Sequence, residues 1–273
     1  FAFAVWDDAK QTLFLARDRL CVKPLFYSYG NERLLFGSEP KALLAHPSFP
    51  AEVDAEGLAE LLAIGPARTP GHGIYRRLSE LKPGWWLEFT RDGVSSRPYW
   101  TLESRPHEDN EETTAERIRE LLEDTVSRQL MSDVPLASLL SGGVDSSALT
   151  ALAVRTGSAP SALPTFSVDY AENDKYFRPH AYQPNSDAPW VRRMSEYLGT
   201  AHHAIELDAS ELFHSLEASV KARDLPGMAD IDGSLYLFCR EIKRHVTVAL
   251  SGEGADEVFG GYPWFHREDL IEA

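Results

Sequence analysis

The first hundred residues alternate short apolar and polar runs with the two-residue period of β-strands. The runs FAFAVWDD and TLFLARDR are separated by turn-prone residues at 7–10. Two further hairpins are predicted, with turn signals at Gly30-Asn31 and Asp92-Gly93. One helix is predicted at about 54–64. This part of the chain is therefore expected to consist mainly of antiparallel strands.

The hydrophobic period changes after a polar, acidic stretch at residues 101–112, which is predicted to be a linker. Residues 113–131 carry apolar side chains at helical spacing, and a short apolar strand is predicted at 135–140. Further strands and helices then alternate, with strands near 163–168, 202–207 and 246–250, helices near 188–198, 209–222 and 234–244, and a long loop at 171–187. This alternation predicts an α/β domain with a parallel sheet covered by helices.

Composition and charge narrow the class of protein. The 273 residues are 43% hydrophobic and 25% charged, which is ordinary for a soluble globular protein. The net charge of −15 argues against a nucleic-acid partner, and no apolar run approaches the roughly 18–20 residues that span a membrane. Cys21 and Cys239 are too few for a disulfide framework, so a reducing, cytoplasmic location is expected. The chain opens within a predicted strand and is expected to be a fragment.

A turn rich in glycine and serine, Ser141–Ser147 (SGGVDSS), joins the strand at 135–140 to a helix. Ligands of open parallel sheets gather at such strand–helix junctions. Gly142 and Gly143 allow close approach of a ligand, while the hydroxyl groups and the helix dipole favour an anion, which together suggests a phosphate cradle. Asp145 would repel phosphate unless a magnesium ion lies between them. The alternative is a glycine turn that only caps a helix.

A second turn, SGEGADEVFGGY at residues 251–262, follows the apolar strand VTVAL. Its glycines free the backbone, and its acidic residues are Glu253, Asp256 and Glu257. Because both turns leave strands of the same predicted sheet, they are expected to face each other and to share a metal ion. A solvated acidic loop is the alternative.

These motifs identify a family resemblance. SGGVDSS resembles the pyrophosphate loop of the N-type ATP pyrophosphatases. Together with TFSVDY, WVRRMSEYLGTAHHAIEL and ALSGEGADEVFGGY, it resembles the synthetase domain of the glutamine-hydrolysing asparagine synthetases. Residues 1–100 resemble the C-terminal part of the class II glutaminase domain of that family, which implies an α+β fold of the N-terminal nucleophile hydrolase type. Residues 113–273 would then be a synthetase domain that is incomplete at its C-terminus.

The resemblance implies a carbon–nitrogen ligase of asparagine biosynthesis. The family reaction amidates aspartate through a β-aspartyl-AMP intermediate, takes ammonia from glutamine, and releases AMP and pyrophosphate. ATP and magnesium are the implied cofactors, with no membrane partner. Assembly as a homodimer is one of the alternatives that stay open. Two alternatives remain, namely an ATP-dependent amide- or β-lactam-forming synthetase for another carboxylate, and a non-catalytic nucleotide-binding module.

The resemblance also implies roles for individual residues of the two turns. The residues expected to bind ATP are Leu139, Ser141, Gly142, Gly143, Asp145, Ser146, Val168, Ser251 and Gly252. Leu139 and Val168, at the ends of their strands, would contact adenosine through their backbone. Asp145 and Asp256 are the expected magnesium ligands, and Glu253 is the expected catalytic residue for forming the acyl-adenylate.

The sequence departs from the family pattern at three places. Cys21 stands where the family usually has glycine, so it is expected to be a packed small residue and not a nucleophile. The family's glutaminase nucleophile, its glutamine-binding residues and a late synthetase lysine are expected to lie outside the chain. The stretch ARDLPGMADIDGSLYLF at 222–238 differs from better-known bacterial enzymes, which leaves the acceptor open. Within it, Asp224, Asp230 and Asp232 could line an acceptor pocket or form a solvated loop.

Overall fold

The computed structural model of the chain describes residues 1–65, 67–156, 162–179 and 185–267. These residues belong to two compact units. The antiparallel unit comprises Phe1–Pro106 and Glu217–Asp232. The parallel unit comprises His107–Leu216 and Gly233–Ala273.

Antiparallel sheets dominate the antiparallel unit, as the alternating pattern predicts. Its strands are β1 (Ala2–Asp7), β2 (Thr12–Arg17), β3 (Phe26–Gly30), β4 (Arg33–Gly37), β5 (Ser79–Glu80), β6 (Trp85–Thr90) and β7 (Gly93–Pro98). One sheet has the order β1-β2-β6-β7 and the other the order β4-β3-β5. Helices α1 (Pro40–Leu44) and α2 (Ala55–Ile64) belong to the same unit. The Asp54 side chain caps α2 by accepting a hydrogen bond from the Gly57 amide at 3.0 Å.

The hairpin between β3 and β4 turns one residue later than the sequence predicts. Gly30 is the last residue of β3 and pairs with Arg33, so the turn itself consists of Asn31 and Glu32. Both turn residues have positive φ angles, 50° and 56°. Two left-handed central residues are the mark of a type I′ turn, whose twist matches that of the strands. Asn31, and not Gly30, therefore provides the first left-handed position.

A buried polar turn follows β2. The Asp18 carboxylate accepts hydrogen bonds from three backbone amides of this turn at 2.9–3.1 Å. The neighbouring Arg17 guanidinium is buried, donates to the Leu81 carbonyl at 2.6 Å and pairs with Glu80 at 2.9 Å. Buried charges are tolerated when every partner is satisfied, as they are here. The turn is thus fixed by side-chain charges and not by apolar packing.

Cys21 lies in this turn in a backbone conformation that suits glycine. Its φ angle is 60°, which explains why a glycine is expected at this position of the family. Burial raises the pKa of the Cys21 thiol. A raised pKa lowers the thiolate fraction and hence the nucleophilicity of the sulfur. The position fits a packed small residue, in agreement with the sequence-based interpretation.

Asp224 anchors the second segment of the antiparallel unit. Its side chain is only 6% exposed, accepts a hydrogen bond from the Lys41 amide at 2.9 Å and pairs with Lys41 Nζ at 3.2 Å. The Tyr75 hydroxyl donates to the Asp224 carbonyl at 2.8 Å. Asp232 forms an ion pair with Arg223. Asp224 and Asp232 are therefore engaged in ion pairs within this unit and do not form a solvated loop, while a place in an acceptor pocket stays a prediction.

A parallel sheet forms the centre of the parallel unit, as predicted. Its strands are β8 (Leu136–Leu139), β9 (Pro164–Tyr170), β10 (Ala201–Leu207) and β11 (Val248–Leu250), in the order β10-β9-β8-β11. All three neighbouring pairs are parallel. Because β8 lies between β9 and β11, the segments that leave these three strands emerge side by side at one edge of the sheet.

Helices flank this sheet in alternation with its strands. They are α3 (Glu111–Gln129), α4 (Val144–Arg155), α5 (Asn173–Tyr176), α6 (Ala188–Leu198), α7 (Ala209–Arg223), α8 (Ala229–Ile242) and α9 (Ala255–Phe259), with a 3-10 turn at Pro263–Phe265. Within the described ranges, none of the chain's helices is both long enough and apolar enough to cross a membrane.

Both faces of the parallel sheet are covered. Leu136 and Ala137 are consecutive in β8, so their side chains point to opposite faces, and they belong to different apolar clusters. The cluster around Leu136 includes Val126 of α3 and Ala153 of α4. The cluster around Ala137 includes Phe238 of α8. The unit thus has three layers, with helices on both faces of the sheet.

The helices after β9 differ from the predicted ones in two places. Helix α8 begins at Ala229, five residues before the predicted start near 234, because its first turns carry aspartates and a glycine that obscure the apolar period. The predicted loop at 171–187 contains the short helix α5. Residues 180–184 of that loop lie outside the described residues.

Candidate functional site

The first glycine-rich turn lies between β8 and α4, at the carboxyl edge of the parallel sheet. Leu139 ends β8 and pairs with Phe166 of β9. The Leu140 amide donates a hydrogen bond to the Phe166 carbonyl at 2.8 Å, which fixes the start of the turn. Gly143 occupies the N-cap position of α4 with an extended backbone. The predicted strand–turn–helix junction is therefore confirmed.

Gly142 is required in this turn for two reasons. Its φ angle is 81°, in the left-handed region that favours glycine. A β-carbon at this position would also lie 2.9 Å from Trp190 Cβ and 3.1 Å from the Asp187 carbonyl oxygen. The turn therefore lies directly against the start of α6. Asp187 occupies the N-cap position of α6, and its side chain makes no capping hydrogen bond.

Serine hydroxyl groups tie the turn to the first turn of α4. The Ser146 side chain is buried, and its hydroxyl lies 2.9 Å from the Ser141 hydroxyl. Ser146 Oγ also accepts a hydrogen bond from the Ser141 amide at 3.2 Å and lies 3.3 Å from the Gly143 carbonyl. The hydroxyl of Ser146 thus acts inside the turn. The first amides of α4 are the donors left to face a ligand, and Ser141 is exposed beside them.

The second glycine-rich turn follows β11. Ser251 Oγ accepts a hydrogen bond from the Glu253 amide at 3.2 Å. Gly254, with a φ angle of 91°, precedes the short helix α9. Glu253 is exposed, and its carboxylate accepts no hydrogen bond from any described residue. It is therefore available to a ligand.

Gly252 brings the two turns into contact. A β-carbon added to Gly252 would lie 3.3 Å from Asp145 Cβ and 3.3 Å from the Ser146 amide nitrogen. The contact arises because β8 and β11 are neighbours, with Ser138 opposite Leu250. The expectation that the two turns face each other is confirmed for these residues.

The expected metal ligands lie one on each turn. Asp145 is exposed in the first turn of α4, and Asp256 is partly exposed in the first turn of α9. The Asp256 carboxylate lies over Gly261, whose amide donates to the Asp256 carbonyl at 2.9 Å. Across the described part of the chain, no three His, Cys, Asp or Glu side chains are placed to hold a metal ion by themselves. A magnesium ion here would need phosphate oxygens to complete its coordination, as magnesium commonly does.

The two positions expected to contact adenosine differ in their placement. Leu139 ends its strand, as expected. Val168 lies two residues before the end of β9 and pairs with Ile205 of β10. Its side chain is 37% exposed. The strand predicted near 163–168 thus continues two residues further, to Tyr170.

Two histidines that could have been metal ligands have other partners. His202 Nδ1 lies 3.0 Å from Thr165 Oγ1, and its Nε2 lies 3.1 Å from Ser167 Oγ. Burial lowers the pKa of His202, which favours the neutral ring. The His203 ring stacks on Phe166 with centroids 5.0 Å apart. Both histidines are therefore accounted for by packing within the sheet.

Sequence reasoning missed the support behind the first turn. Ser138 of β8 and Thr150 of α4 are completely buried, and their hydroxyl oxygens lie 2.9 Å apart. A signal was present, because each is a hydroxyl residue within an otherwise apolar stretch. The contact between Gly142 and α6 was also missed, since it joins segments that are distant in sequence.

Comparisons with known proteins agree with this geometry. The asparagine synthase family model matches residues 117–273, and a glutamine amidotransferase domain model matches residues 1–100. The chain belongs to the asparagine synthase family. Both glycine-rich turns lie within the region of the first match.

Three relatives are similar over nearly all of the chain. Asparagine synthetase (glutamine-hydrolyzing) 3 of Bacillus subtilis is 52% identical over 99% of this chain and 44% of the relative. Asparagine synthetase (glutamine-hydrolyzing) 1 of the same organism is 32% identical over 99% of this chain and 40% of the relative. Amidase chry2 of Gibberella zeae is 29% identical over 100% of this chain and 41% of the relative. The chain thus spans less than half the length of these relatives.

Proposed function

We propose that the parallel unit binds ATP with magnesium and activates the side-chain carboxylate of aspartate as β-aspartyl-AMP, on the way to asparagine. The observation that carries this proposal is the contact of Gly252 with Asp145 and Ser146. It supports the proposal because the first glycine-rich turn lies next to a second turn that carries an available carboxylate. A ligand bound by one turn therefore lies within reach of the other.

The first turn would hold the phosphates of ATP. Gly142 and Gly143 leave room for a phosphate group beside the backbone, and the start of α4 provides unpaired amides with the positive end of the helix dipole. Ser141 is exposed and would contact the phosphates from the start of the turn. Ser146 would contribute through its backbone, since its hydroxyl is engaged in the turn.

The rest of the nucleotide would extend along the carboxyl edge of the sheet. The backbones of Leu139 and Val168 would contact adenosine, in keeping with their positions on neighbouring strands. Ser251 and Gly252 would contact the nucleotide from the second turn. Parallel sheets commonly bind nucleotides at this edge.

Asp145 and Asp256 would hold the magnesium ion. The two carboxylates come from facing turns, and this donor set suits a hard cation that retains phosphate and water oxygens. When bound, magnesium would offset the negative charge of the phosphates. The magnesium ion would thus allow the Asp145 carboxylate to lie beside phosphate groups that it would otherwise repel.

Glu253 would act on the reacting centre and not on the phosphate cradle. It belongs to the second turn, is exposed, and makes no hydrogen bond through its carboxylate with the described residues. As the aspartate carboxylate attacks the α-phosphate, pyrophosphate leaves. Ammonia then attacks the acyl carbon and AMP leaves, and Glu253 would stabilise or deprotonate groups that change charge in these steps.

The antiparallel unit would belong to a glutaminase domain of the N-terminal nucleophile type, which supplies ammonia from glutamine. The glutamine amidotransferase match at residues 1–100 and the antiparallel sheets support this proposal. The enzyme would work in the cytoplasm on small-molecule substrates, without nucleic acid, in keeping with a net charge of −15. Its assembly as a homodimer stays a prediction.

Aspartate-dependent release of pyrophosphate by the natural full-length protein tests the proposed reaction. With ATP, magnesium and ammonia, we expect AMP, pyrophosphate and asparagine in equal amounts. Other carboxylates in place of aspartate serve as controls, because the segment expected to recognise the acceptor departs from the family pattern. Pyrophosphate release that depends on another carboxylate, and not on aspartate, would show that the enzyme activates that carboxylate instead.

A further inference from the structure

Two completely buried hydroxyl groups connect β8 to the first turn of α4. Ser138 and Thr150 are both 0% exposed, and their hydroxyl oxygens lie 2.9 Å apart. Thr150 Oγ1 also donates a hydrogen bond of 2.7 Å to the carbonyl of Ser146, one helical turn earlier. The pair therefore lies directly behind the residue that organises the first glycine-rich turn.

The direction of these hydrogen bonds follows from the number of protons. A threonine hydroxyl has one proton, and Thr150 gives it to the Ser146 carbonyl. The hydrogen bond between Ser138 and Thr150 must then be donated by Ser138. The result is a directed chain from the strand to the helix, which ends on the backbone of Ser146.

Ser146 is held at both ends by this arrangement. Its carbonyl is bound by Thr150, and its hydroxyl is bound within the turn by Ser141. Because a carbonyl only accepts, Ser146 gives its one proton to the Gly143 carbonyl at 3.3 Å, and the Ser141 hydroxyl then donates to Ser146 at 2.9 Å. That arrangement holds the turn through two consecutive hydrogen bonds and leaves the first amides of α4 to face an anion.

Stability alone does not account for a hydroxyl pair at this place. Ser138 is adjacent in β8 to the apolar core residue Ala137, and Ala153 of the neighbouring apolar cluster lies one helical turn beyond Thr150. A hydrogen bond between two buried hydroxyl groups adds little net stability, and apolar groups of similar shape can replace such a pair almost neutrally. Apolar groups, however, make no directional hydrogen bond that would fix the orientation of the helix. The pair therefore fits a role in holding the first turn of α4 in one orientation.

We propose that Ser138 and Thr150 are positioning residues of the nucleotide site. They fix Ser146 so that the first amides of α4 converge on the phosphate groups. The proposal rests on the proposed function for the identity of the ligand. Neither residue touches the ligand, since both are completely buried.

The test compares three variants of the 273-residue chain by calorimetric titration with magnesium–ATP. Thr150→Val removes the hydroxyl at nearly constant volume, and Thr150→Ser retains it. The double variant Ser138→Ala/Thr150→Val leaves no buried hydroxyl without a partner, so it stays informative where Thr150→Val does not fold. We expect the dissociation constant to rise about tenfold or more in Thr150→Val and in the double variant, and to stay within about twofold in Thr150→Ser.

A matched control separates positioning from stability. Ser215 is a buried serine of the same unit that donates to the Leu212 carbonyl at 2.8 Å within α7. Ser215→Ala should lower the melting temperature without changing the dissociation constant. A double variant that binds magnesium–ATP as tightly as the unmodified chain would overturn the positioning role. An unmodified chain that does not bind magnesium–ATP would instead overturn the proposed function.

Discussion

Gly252 lies directly against Asp145, so that a β-carbon on the glycine would come within 3.3 Å of Asp145 Cβ. The two residues are more than a hundred positions apart in the chain. They meet because β8 and β11 are parallel neighbours whose following turns leave the same edge of the sheet. This contact, more than either motif alone, defines the candidate site.

Gly252→Ala should disturb the site while leaving the fold intact. Its added methyl group would press on Asp145 and on the Ser146 amide at a distance tighter than nearly all real contacts. We expect magnesium–ATP affinity to fall about tenfold, because an overpacked contact displaces its neighbours. Gly30→Ala is the control, since a β-carbon there meets no atom within 4 Å. Equal affinities of Gly252→Ala and Gly30→Ala in calorimetry would show that this contact does not matter for binding.

Glu253→Gln should separate binding from chemistry. The Glu253 carboxylate accepts no hydrogen bond from the described residues, so glutamine at this position should not disturb the turn. In the natural full-length protein, we expect ATP affinity to change by no more than a few-fold. Adenylate formation should fall by about 10²–10³, the scale of losing one electrostatic or acid–base partner. The measurement is aspartate-dependent pyrophosphate release at saturating ATP, and an unchanged rate would remove Glu253 from the mechanism.

The periodicity of the sequence was sufficient for the architecture but not for the contacts of the site. Short apolar runs that alternate with segments of helical period predicted the parallel sheet. The two glycine-rich turns were correctly placed at strand ends. The order of the strands is a long-range property, so the sequence could not show that β8 lies beside β11. The contact of Gly142 with α6 was missed for the same reason. The inward role of Ser146 depends on a side-chain rotamer, which sequence spacing does not specify.

Cys21→Gly should stabilise the chain relative to Cys21→Ala. Both variants remove the thiol, but only glycine adopts a φ angle of 60° without steric strain. The expected difference in the free energy of unfolding is about 1 kcal/mol, the usual cost of a left-handed residue with a β-carbon. Urea unfolding monitored by circular dichroism measures it. Alanine and glycine variants of equal stability would show that the turn relaxes around residue 21.

Asp18 should make stability depend on pH under acidic conditions. Burial raises the pKa of its carboxyl, but hydrogen bonds from the amides of Lys23 and Val22 outweigh burial and lower the pKa from 3.8 to about 2. The stabilisation, about 2 kcal/mol, is therefore complete above pH 3.8 and is lost as the pH falls towards 2. Asp18→Asn should be less stable than the unmodified chain at pH 6, and the difference should shrink between pH 4 and 2.

Urea unfolding across this pH range gives the comparison, with Asp92→Asn as the control at an exposed position. The control should match the unmodified chain throughout the range. A stability difference for Asp18→Asn that stays constant between pH 6 and 2 would contradict the assignment of a lowered pKa to Asp18.

Magnesium-dependent ATP binding by the 273-residue chain tests the central claim most directly. The two turns are proposed to form one site. In this site a magnesium ion would lie between the Asp145 carboxylate and the phosphate groups of ATP. Calorimetric titration with ATP, with and without magnesium, should show that magnesium strengthens binding to the unmodified chain. Asp145→Asn keeps the shape of the side chain but removes its charge, so we expect it to lose most of that magnesium-dependent gain. An Asp145→Asn variant that retains the full magnesium-dependent affinity would contradict the account.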